Sequence, residues 1–533
     1  MEVDCLPYTS TGYYSKLICD YLDEKEELKP FYNRFPHIDN FEDQIKEKSN
    51  SFTSHQRKVL VEALTQQYKN VVLSDATKQN IQLLEEEKTF TIVTGHQLNL
   101  FTGPLYFLYK IISTINLTTA LKERYPDYNF VPVYWMATED HDFKEINYFN
   151  FEGKKVHWNK DVSGAVGPLD TKGLEEVATT FFNQLGSFKN AETIKRLFTE
   201  AYLQHATLTE ATRFLANELF KAYGLVIIDG DDTLLKRELV PYMKQDIFQN
   251  VGFKNVTESI TALEALPEKY GVQVNPREIN YFYLQEGVRE RIVELDGVFS
   301  VIDTDYTWTA KQLEEEIEAH PERFSPNVVA RPLYQEVILP NLCYIGGGGE
   351  LAYWLELKKM FKAVDIPFPI LLLRNSVLLI SEKSHQKLKN MQLSVADLFL
   401  KQSSFINKKI REISNIDIDF STQKNHLKEQ FAALYVLAEQ TDKSFLGAVK
   451  AQEVKQLKGL EHLEKRLLSA QKRKLKDQVV RMTDIQNELF PNQSLQERQE
   501  NFSSFYLELG ENLIPSLIET LKPLSQDFTV LKY

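Results

Sequence analysis

The segment TIVTGHQLNLFTGPLYFLYKII, Thr91 to Ile112, sets Thr94, Gly95, His96 and Gln97 between a β-branched run and an aromatic helix that follows Gly103-Pro104. A plain strand-to-helix crossover needs one glycine and a cap. This one carries a histidine, two amides and two glycines. At the carboxyl end of a strand in an α/β sheet such residues project into the ligand crevice. His96 and Gln97 would then lie near a helix N-terminus that favours anions, with proline suited to its first turn. A histidine there can donate to a phosphate or act as a general acid or base; it can also simply satisfy backbone carbonyls in a tight turn.

Three more segments could carry chemistry. WMATEDHDFKEIN crowds Glu139, Asp140, His141, Asp142 and Glu145 behind another apolar run, and so many charges cannot all be buried without partners. The cluster suits divalent-metal ligation, binding of amine or hydroxyl groups on a polar substrate, or a solvated acidic loop; neighbouring residues at a strand end diverge, so at most two or three could share one ligand. LVIIDGDDTLLK fits D-x-D-x-T-L through Asp229, Asp231, Thr233 and Leu234, the opening of haloacid-dehalogenase-like phosphohydrolases, where one aspartate is a nucleophile and the next an acid/base beside magnesium. Those enzymes place it on their first core strand, whereas two strand-like runs precede it here. Acids lining a shared crevice are the better account.

NLCYIGGGGELAYWLELKKMF reads as strand, four glycines and helix. Gly346, Gly347, Gly348 and Gly349 let a ligand approach the backbone, and Glu350 opens the helix. The segment is neither a Walker loop nor a G-x-G-x-x-G fingerprint. Glu350 is a good dipole partner at a helix N-terminus, and could equally hold an ammonium or sugar hydroxyls. Upstream, ARPLYQEVILP offers Arg331, Gln335 and Glu336, and Arg331 is suited to clamping a carboxylate.

The elements that must position these residues follow from periodicity. FTIVTG, NFVPVYWMA, GLVIIDG, NLCYIG and PFPILLLRN are short and apolar on both faces, as buried parallel strands are. Helical stretches fall between several of them, at Gly103 to Tyr125, Leu208 to Tyr223 and Glu350 to Ala363, which predicts a doubly wound α/β sheet. Mostly helical residues, Ser10 to Lys88, come first. Two insertions are expected within a core of residues 1–380: a small β-rich one at about 145–195, and one at about 251–332 with two strand-like runs around a turn. From 381 to 533 glycine is rare, and Leu460, Leu463, Leu467 and Ala470 recur at three and four before slipping to Leu475, Val479 and Met482. That predicts an antiparallel helical hairpin, coiled-coil-like in part, which must pack on the core or on a second copy.

The bulk numbers bound the function. At 533 residues two or more domains are expected, and a net charge of −13, from 62 basic and 75 acidic residues, argues against nucleic acid as the main partner. The N-terminus lacks a signal-peptide pattern and no stretch approaches a membrane span, so a cytoplasmic protein without membrane partners is expected. Cys5, Cys19 and Cys343 are too few and scattered for a disulfide framework or a Cys-rich zinc site.

TGHQLNLFTGPLYFLYK, PVYWMATEDHDFKEIN, RPLYQEVILP, GGGGELAYWLELK and the helical tail together resemble one family, the bacillithiol biosynthesis cysteine-adding enzymes, over nearly the whole chain. The resemblance implies a Rossmann-like core related to nucleotidylyltransferases and class I aminoacyl-tRNA synthetases, with connecting-peptide insertions and a dimer-forming C-terminal coiled coil. It implies a ligase that joins cysteine to glucosaminyl-malate through an amide bond, with ATP, and magnesium alongside it, to activate the carboxyl. TGHQ stands where the related superfamily carries His-x-Gly-His, and only His96 of that pair is present; Lys383 and Lys387 fall where its lysine-rich signature would lie, without matching it. On this reading His96, Gln97, Asp140 and His141 are the catalytic candidates. Thr94, Gly95, Gly103, Glu139, Asp142, Asp229, Arg331, Gly346 to Gly349, Glu350 and Trp354 are candidates for binding substrate or nucleotide, and no metal ligand is assigned. A phosphohydrolase built on Asp229 and Asp231, or a non-catalytic scaffold built on the hairpin, are the alternatives.

Overall fold

The computed structural model describes residues 2–441 and 443–533. The chain divides into two compact units, one of Met1–Leu379 with Gln496–Leu531, the other of Ile380–Leu495 with Lys532–Tyr533.

Five strands form the centre of the first unit: β1 (Thr89–His96), β2 (Asn129–Met136), β3 (Val226–Asp229), β4 (Asn341–Gly346) and β5 (Ile370–Leu373). All pairings are parallel, in the order β5-β4-β1-β2-β3. Every residue of β1 is buried, which is why these strands read as unbroken apolar runs rather than alternating ones. The chain moves from β1 outward to β3 and then returns to the far side of β1 for β4. That reversal makes the gap between the carboxyl ends of β1 and β4 the topological switch point, where α/β folds bind ligands.

Helix α1 (Tyr106–Arg124) follows β1 and lays Leu117 and Leu121 on Phe90, Ile92, Leu342 and Ile345 of the sheet. Burying each such side chain stabilises the fold by about 1.5–3 kcal/mol. After β3 comes α2 (Thr233–Gln249); α3 (Arg331–Ile338) leads into β4; α4 (Gly348–Trp354) and α5 (Lys358–Ala363) lead out of it. The single helix expected from Glu350 to Ala363 is therefore two short ones, broken at Leu355 to Leu357.

The insertions differ from expectation. The first holds one small hairpin, Tyr148–Phe151 with Lys154–His157, and then two helices, Leu174–Phe182 and Lys189–Tyr202, so it is mainly helical. The second is a five-stranded antiparallel sheet. In place of two strand-like runs around one turn, residues 281–301 form three strands, Tyr281–Gln285, Val288–Leu295 and Val298–Val301, because Glu286-Gly287 and Asp296-Gly297 both turn the chain. Asp296 and Gly297 adopt φ of 52° and 80°, as a tight hairpin turn requires.

In the second unit, Ser421–Ala438 pairs with Lys443–Lys474. Tyr435 bonds to Glu453 and Lys424 to Glu464, so the two helices run antiparallel. The predicted stripe is only partly buried: Leu463 is 54% exposed and Leu467 half-buried, while Met482 is buried. The helix is interrupted at Leu475, where the periodicity slips, and resumes as Lys476–Leu489. Residues 496–531, expected with the helical tail, belong instead to the first unit. Glu497 is buried there against Arg374, and Gln496 exchanges two hydrogen bonds with the Leu379 backbone. Among the described residues no helix is long and apolar enough to cross a membrane.

Candidate active site

A cavity of about 770 Å³ opens at the carboxyl ends of β1, β2 and β4, its wall completed by Phe282, Arg289 and Asn327 of the second insertion. The floor depends on the unusual turn after β1. Phe101 and Thr102 adopt φ of 48° and 68°, and Gly103 has φ 62° with ψ −135°. Two successive non-glycine residues at positive φ are costly, and the surroundings hold them. The Tyr202 hydroxyl accepts from Phe101 N at 2.8 Å, and Asn501 Nδ2 donates to the Phe101 and Gly103 carbonyls at 2.7 and 2.6 Å. Gly103 is obligatory: a Cβ there would lie 2.6 Å from the Asn99 Cβ. It shapes the floor without lining the cavity.

Across the switch point, Lys110 of α1 meets Glu350 of α4. Lys110 Nζ lies 2.7 Å from Glu350 Oε2 and donates to the Gly95 carbonyl at 2.7 Å. Glu350 also accepts from the Tyr344 hydroxyl at 2.9 Å and from Gly347 N at 2.7 Å. Burial pushes this carboxyl up, but Lys110 and these donors outweigh it and hold it below the usual range. Glu350 is thus spent on the protein's own groups, and its carboxylate already occupies the Gly347 N–H that a phosphate would seek.

His96 is buried between the rings of Tyr106 and Phe107, at centroid distances of 5.4 and 5.1 Å. Burial, reinforced by the Lys110 charge, lowers its pKa to about 3, so the ring is neutral at ordinary pH. Its Nε2 finds no hydrogen-bond partner among the described residues. A neutral imidazole offers a hydrogen bond, and not a charge, to whatever binds beside it.

The acidic loop after β2 is ordered by its neighbours. Gln97 Nε2 donates to Asp140 Oδ2 at 2.8 Å and to Glu145 Oε2 at 3.0 Å, and Asp140 Oδ1 accepts from His141 N at 2.7 Å. Arg289 donates to His141 Nδ1. Glu139 lies 2.7 Å from Lys236 Nζ, which is wholly buried between it and Asp231. Asp142 lines the cavity and precedes the short helix Phe143–Ile146.

The D-x-D-x-T-L segment has a local explanation. Asp232 caps α2, accepting from Leu234 N and Leu235 N at 2.9 and 3.2 Å. Asp231 pairs with Lys236, and Asp229 accepts from the Thr138 hydroxyl and Asp231 N. Burial raises the Asp229 carboxyl pKa. Asp229 lies beside the cavity wall and does not line it.

Of the residues singled out in the sequence, Gly95, His96, Gln97, Glu139 to Asp142, Arg331, Gly347, Gly349 and Glu350 meet around this cavity. Thr94, Gly346, Gly348 and Trp354 do not line it. Thr94 donates to the Ile345 carbonyl at 2.7 Å, tying β1 to β4. Gly346 makes room for the Tyr344 ring and Gly348 packs beside Ile18 and Tyr14. Trp354 is fully buried, stacked under Tyr344 at 4.5 Å. Sequence reading missed Tyr106, Lys110, Tyr344, Arg374 and Arg289; a lone lysine inside the apolar run LYFLYKII was the signal for one of them.

The cavity is cationic although the chain is acidic. Lys110, Arg277, Arg289, Arg291, Arg331, Arg374 and Arg498 face Glu139, Asp140, Asp142 and Glu350. Such an excess attracts anionic ligands.

Models of two domains match the chain. The bacillithiol biosynthesis BshC N-terminal Rossmann-like domain covers residues 1–375, and the BshC C-terminal coiled-coil domain covers residues 377–533. A Flavobacterium johnsoniae protein named "Putative cysteine ligase BshC" is 60% identical over 531 residues, spanning 100% of both chains. Proteins of the same name from Cytophaga hutchinsonii and Bacillus cereus are 38% and 27% identical, over 98% and 96% of this chain and 97% and 96% of theirs. A solved Campylobacter jejuni chain described as a "putative arginyl t-RNA synthetase" aligns at 8% identity with a TM-score of 0.21, too low to bear on the fold.

Proposed function

The chain belongs to the bacillithiol biosynthesis BshC family, and on that premise we propose that it is a cytoplasmic cysteine ligase joining the cysteine carboxyl to the amine of glucosaminyl-malate. The observation that carries this reading is the excess of cation over anion in the switch-point cavity of a net-acidic chain. Cysteine's carboxylate, the malyl carboxylates and a nucleoside triphosphate are all anions.

Amide formation from a free carboxylate is uphill in water, so ATP, with magnesium, would first convert it to an acyl-phosphoric anhydride. The amine then attacks the acyl carbon, the amide forms, and AMP or phosphate leaves with the C–O bond's electron pair. The glycine loop is not assigned to the phosphates, because Glu350 caps it. Arg277, Arg289, Arg291 and Arg498 at the rim are the groups available for them. His96, being neutral, hydrogen-bonds the reacting groups from the floor. Asp140, partly open to the cavity and held by Gln97, orients or deprotonates the amine with His141 beside it.

Mass detection of the cysteinyl product from cysteine, glucosaminyl-malate, ATP and magnesium, omitting each in turn, tests the reading. Product that requires all four supports it; nucleotide consumption without product would refute it. The hairpin leaves Leu434, Val436, Leu437, Phe445 and Val454 at least 40% exposed, which supports a homodimer through this domain. A monomer mass by light scattering at micromolar concentration would sink that part.

A further inference from the structure

Three buried or half-buried cations border the cavity near β4 and β5, and they are compensated differently. Lys110 is matched by the Glu350 carboxylate. Arg374 is matched by Glu497 through two bonds, of 2.7 and 3.1 Å. Arg331 has no carboxylate at ion-pair distance among the described residues. Its side chain lies between the rings of Trp135 and Tyr344, at 5.6 and 5.7 Å, and its Nη2 has no hydrogen-bond partner among the described residues. Where the other two cations meet a carboxylate, Arg331 meets neutral groups: Nη1 donates to Gln335 Oε1 at 3.1 Å, and the Tyr353 hydroxyl lies beside the guanidinium.

The amide is held in that orientation from behind. Gln335 is fully buried one turn along α3 from Arg331, and its Nε2 donates to Glu336 Oε1 at 2.9 Å. Asn341 Nδ2 donates to the same oxygen at 2.6 Å, and Lys48 Nζ stands 3.6 Å from Glu336 Oε2. The Gln335 amide nitrogen must therefore face Glu336, which leaves its oxygen for Arg331. The relay fixes the guanidinium, while the Glu336 charge behind it is answered by Lys48 and the Glu350 charge that acts on Arg331 across the cavity is answered by Lys110. Arg331 is positioned without being neutralised.

Resting on the ligase reading above, we propose that Gln335 is a positioning residue that keeps the Arg331 charge available, and that this charge receives a malyl carboxylate of the amino-sugar substrate. The cysteine carboxyl loses its charge when it is activated, and a fixed cation held against it would oppose that step. The malyl carboxylates stay ionised throughout, so a permanent buried cation suits them in ground state and transition state alike.

The test uses the full-length protein and two variants, Gln335→Glu, which supplies the missing carboxylate, and Gln335→Met, which removes the acceptor but keeps the Arg331 charge. In Gln335→Glu the KM for glucosaminyl-malate should rise about tenfold or more, as loss of a charged hydrogen-bonding site implies, with kcat and the KM for cysteine within about twofold. Gln335→Met should show a smaller rise in the same KM alone. A rise in the cysteine KM instead, a fall in kcat with both KM values unchanged, or no change in either variant would overturn the proposal. Calorimetric titration of glucosaminyl-malate into protein without cysteine or ATP separates this proposal from the ligase reading. Binding that is weakened in the variants while no product forms would refute the ligase reading alone, and absence of binding to the unaltered protein would refute both. If Gln335→Glu fails to fold, the Gln335→Met constants decide.

Discussion

Lys110 Nζ and Glu350 Oε2 lie 2.7 Å apart, one on the helix after β1 and the other on the helix after β4. The pair bridges the switch point on which the cavity is built. It also joins residues 240 apart in sequence, so the crevice cannot open there without breaking a buried charge pair.

Removing one partner strands the other. Lys110→Met should cost about 3–5 kcal/mol of unfolding free energy, the range for breaking a buried ion pair, and Lys110→Met with Glu350→Gln should recover part of it. Urea denaturation of the two variants checks this. A double variant no more stable than the single would mean the charges are not coupled.

His96 should make the protein acid-sensitive. Its folded pKa is about 3, against about 6.5 for an unfolded histidine, so between these values the unfolded chain binds the extra proton. Stability contributed by this site is then complete above about pH 6.5 and falls with decreasing pH, at up to about 1.4 kcal/mol per unit. His96→Asn should flatten that part of the curve, measured as the difference in denaturation free energy between pH 4.5 and pH 7. Parallel curves would show that the ring is not held neutral by burial.

Glu356 should behave in the opposite sense. It is fully buried and accepts from Gln273 N and Val274 N at 2.8 and 3.2 Å, just before Asn275 and Arg277 of the cavity wall. Burial, only partly offset by those two bonds, raises its pKa to about 7. The native state therefore holds a proton that an unfolded glutamate, with a pKa of about 4.3, has released. Relative to Glu356→Gln, the unaltered protein should lose stability as pH rises from about 4.5 through 7. An unchanged difference across that window would place the carboxyl in a wetter setting.

Two glycines should respond in contrasting ways. Gly103→Ala meets the Asn99 Cβ at 2.6 Å with φ at 62°, so it should lose about 1–3 kcal/mol and most ligase activity with the displaced floor. Gly349→Ala meets nothing within 4 Å and lies inside α4, so it should be neutral to about 1 kcal/mol stabilising. Thermal melts compare the two directly. An unstable Gly349→Ala would show that the loop is tighter than its geometry.

The five core strands were legible because burial on both faces writes them as apolar runs; His96, Asp140 and Glu350 stand out at or just past their ends, and Arg331 at the start of the helix that leads into β4. Sheet order was not legible, since nothing in β4 says that it returns beside β1. Nor was Glu497, whose partner Arg374 lies 123 residues earlier. Trp354 sits next to the glycine loop in sequence yet faces the core, because helix phase turns it beneath Tyr344. D-x-D-x-T-L was rightly set aside as a phosphohydrolase opening, but its acids do not line the crevice as expected, because Asp232 caps α2 and Asp231 pairs with Lys236.

Asn501 holds the Phe101 and Gly103 carbonyls. During synthesis the ribosome must therefore deliver the helical hairpin in full before the floor of the cavity can be closed. A nascent chain released at residue 380, or a gene cut there to isolate the Rossmann-like part, would carry the strands, His96 and Arg331 but no clamp for the turn that seats them. Expression of the first unit alone calls for splicing 496–531 back onto it by a short linker.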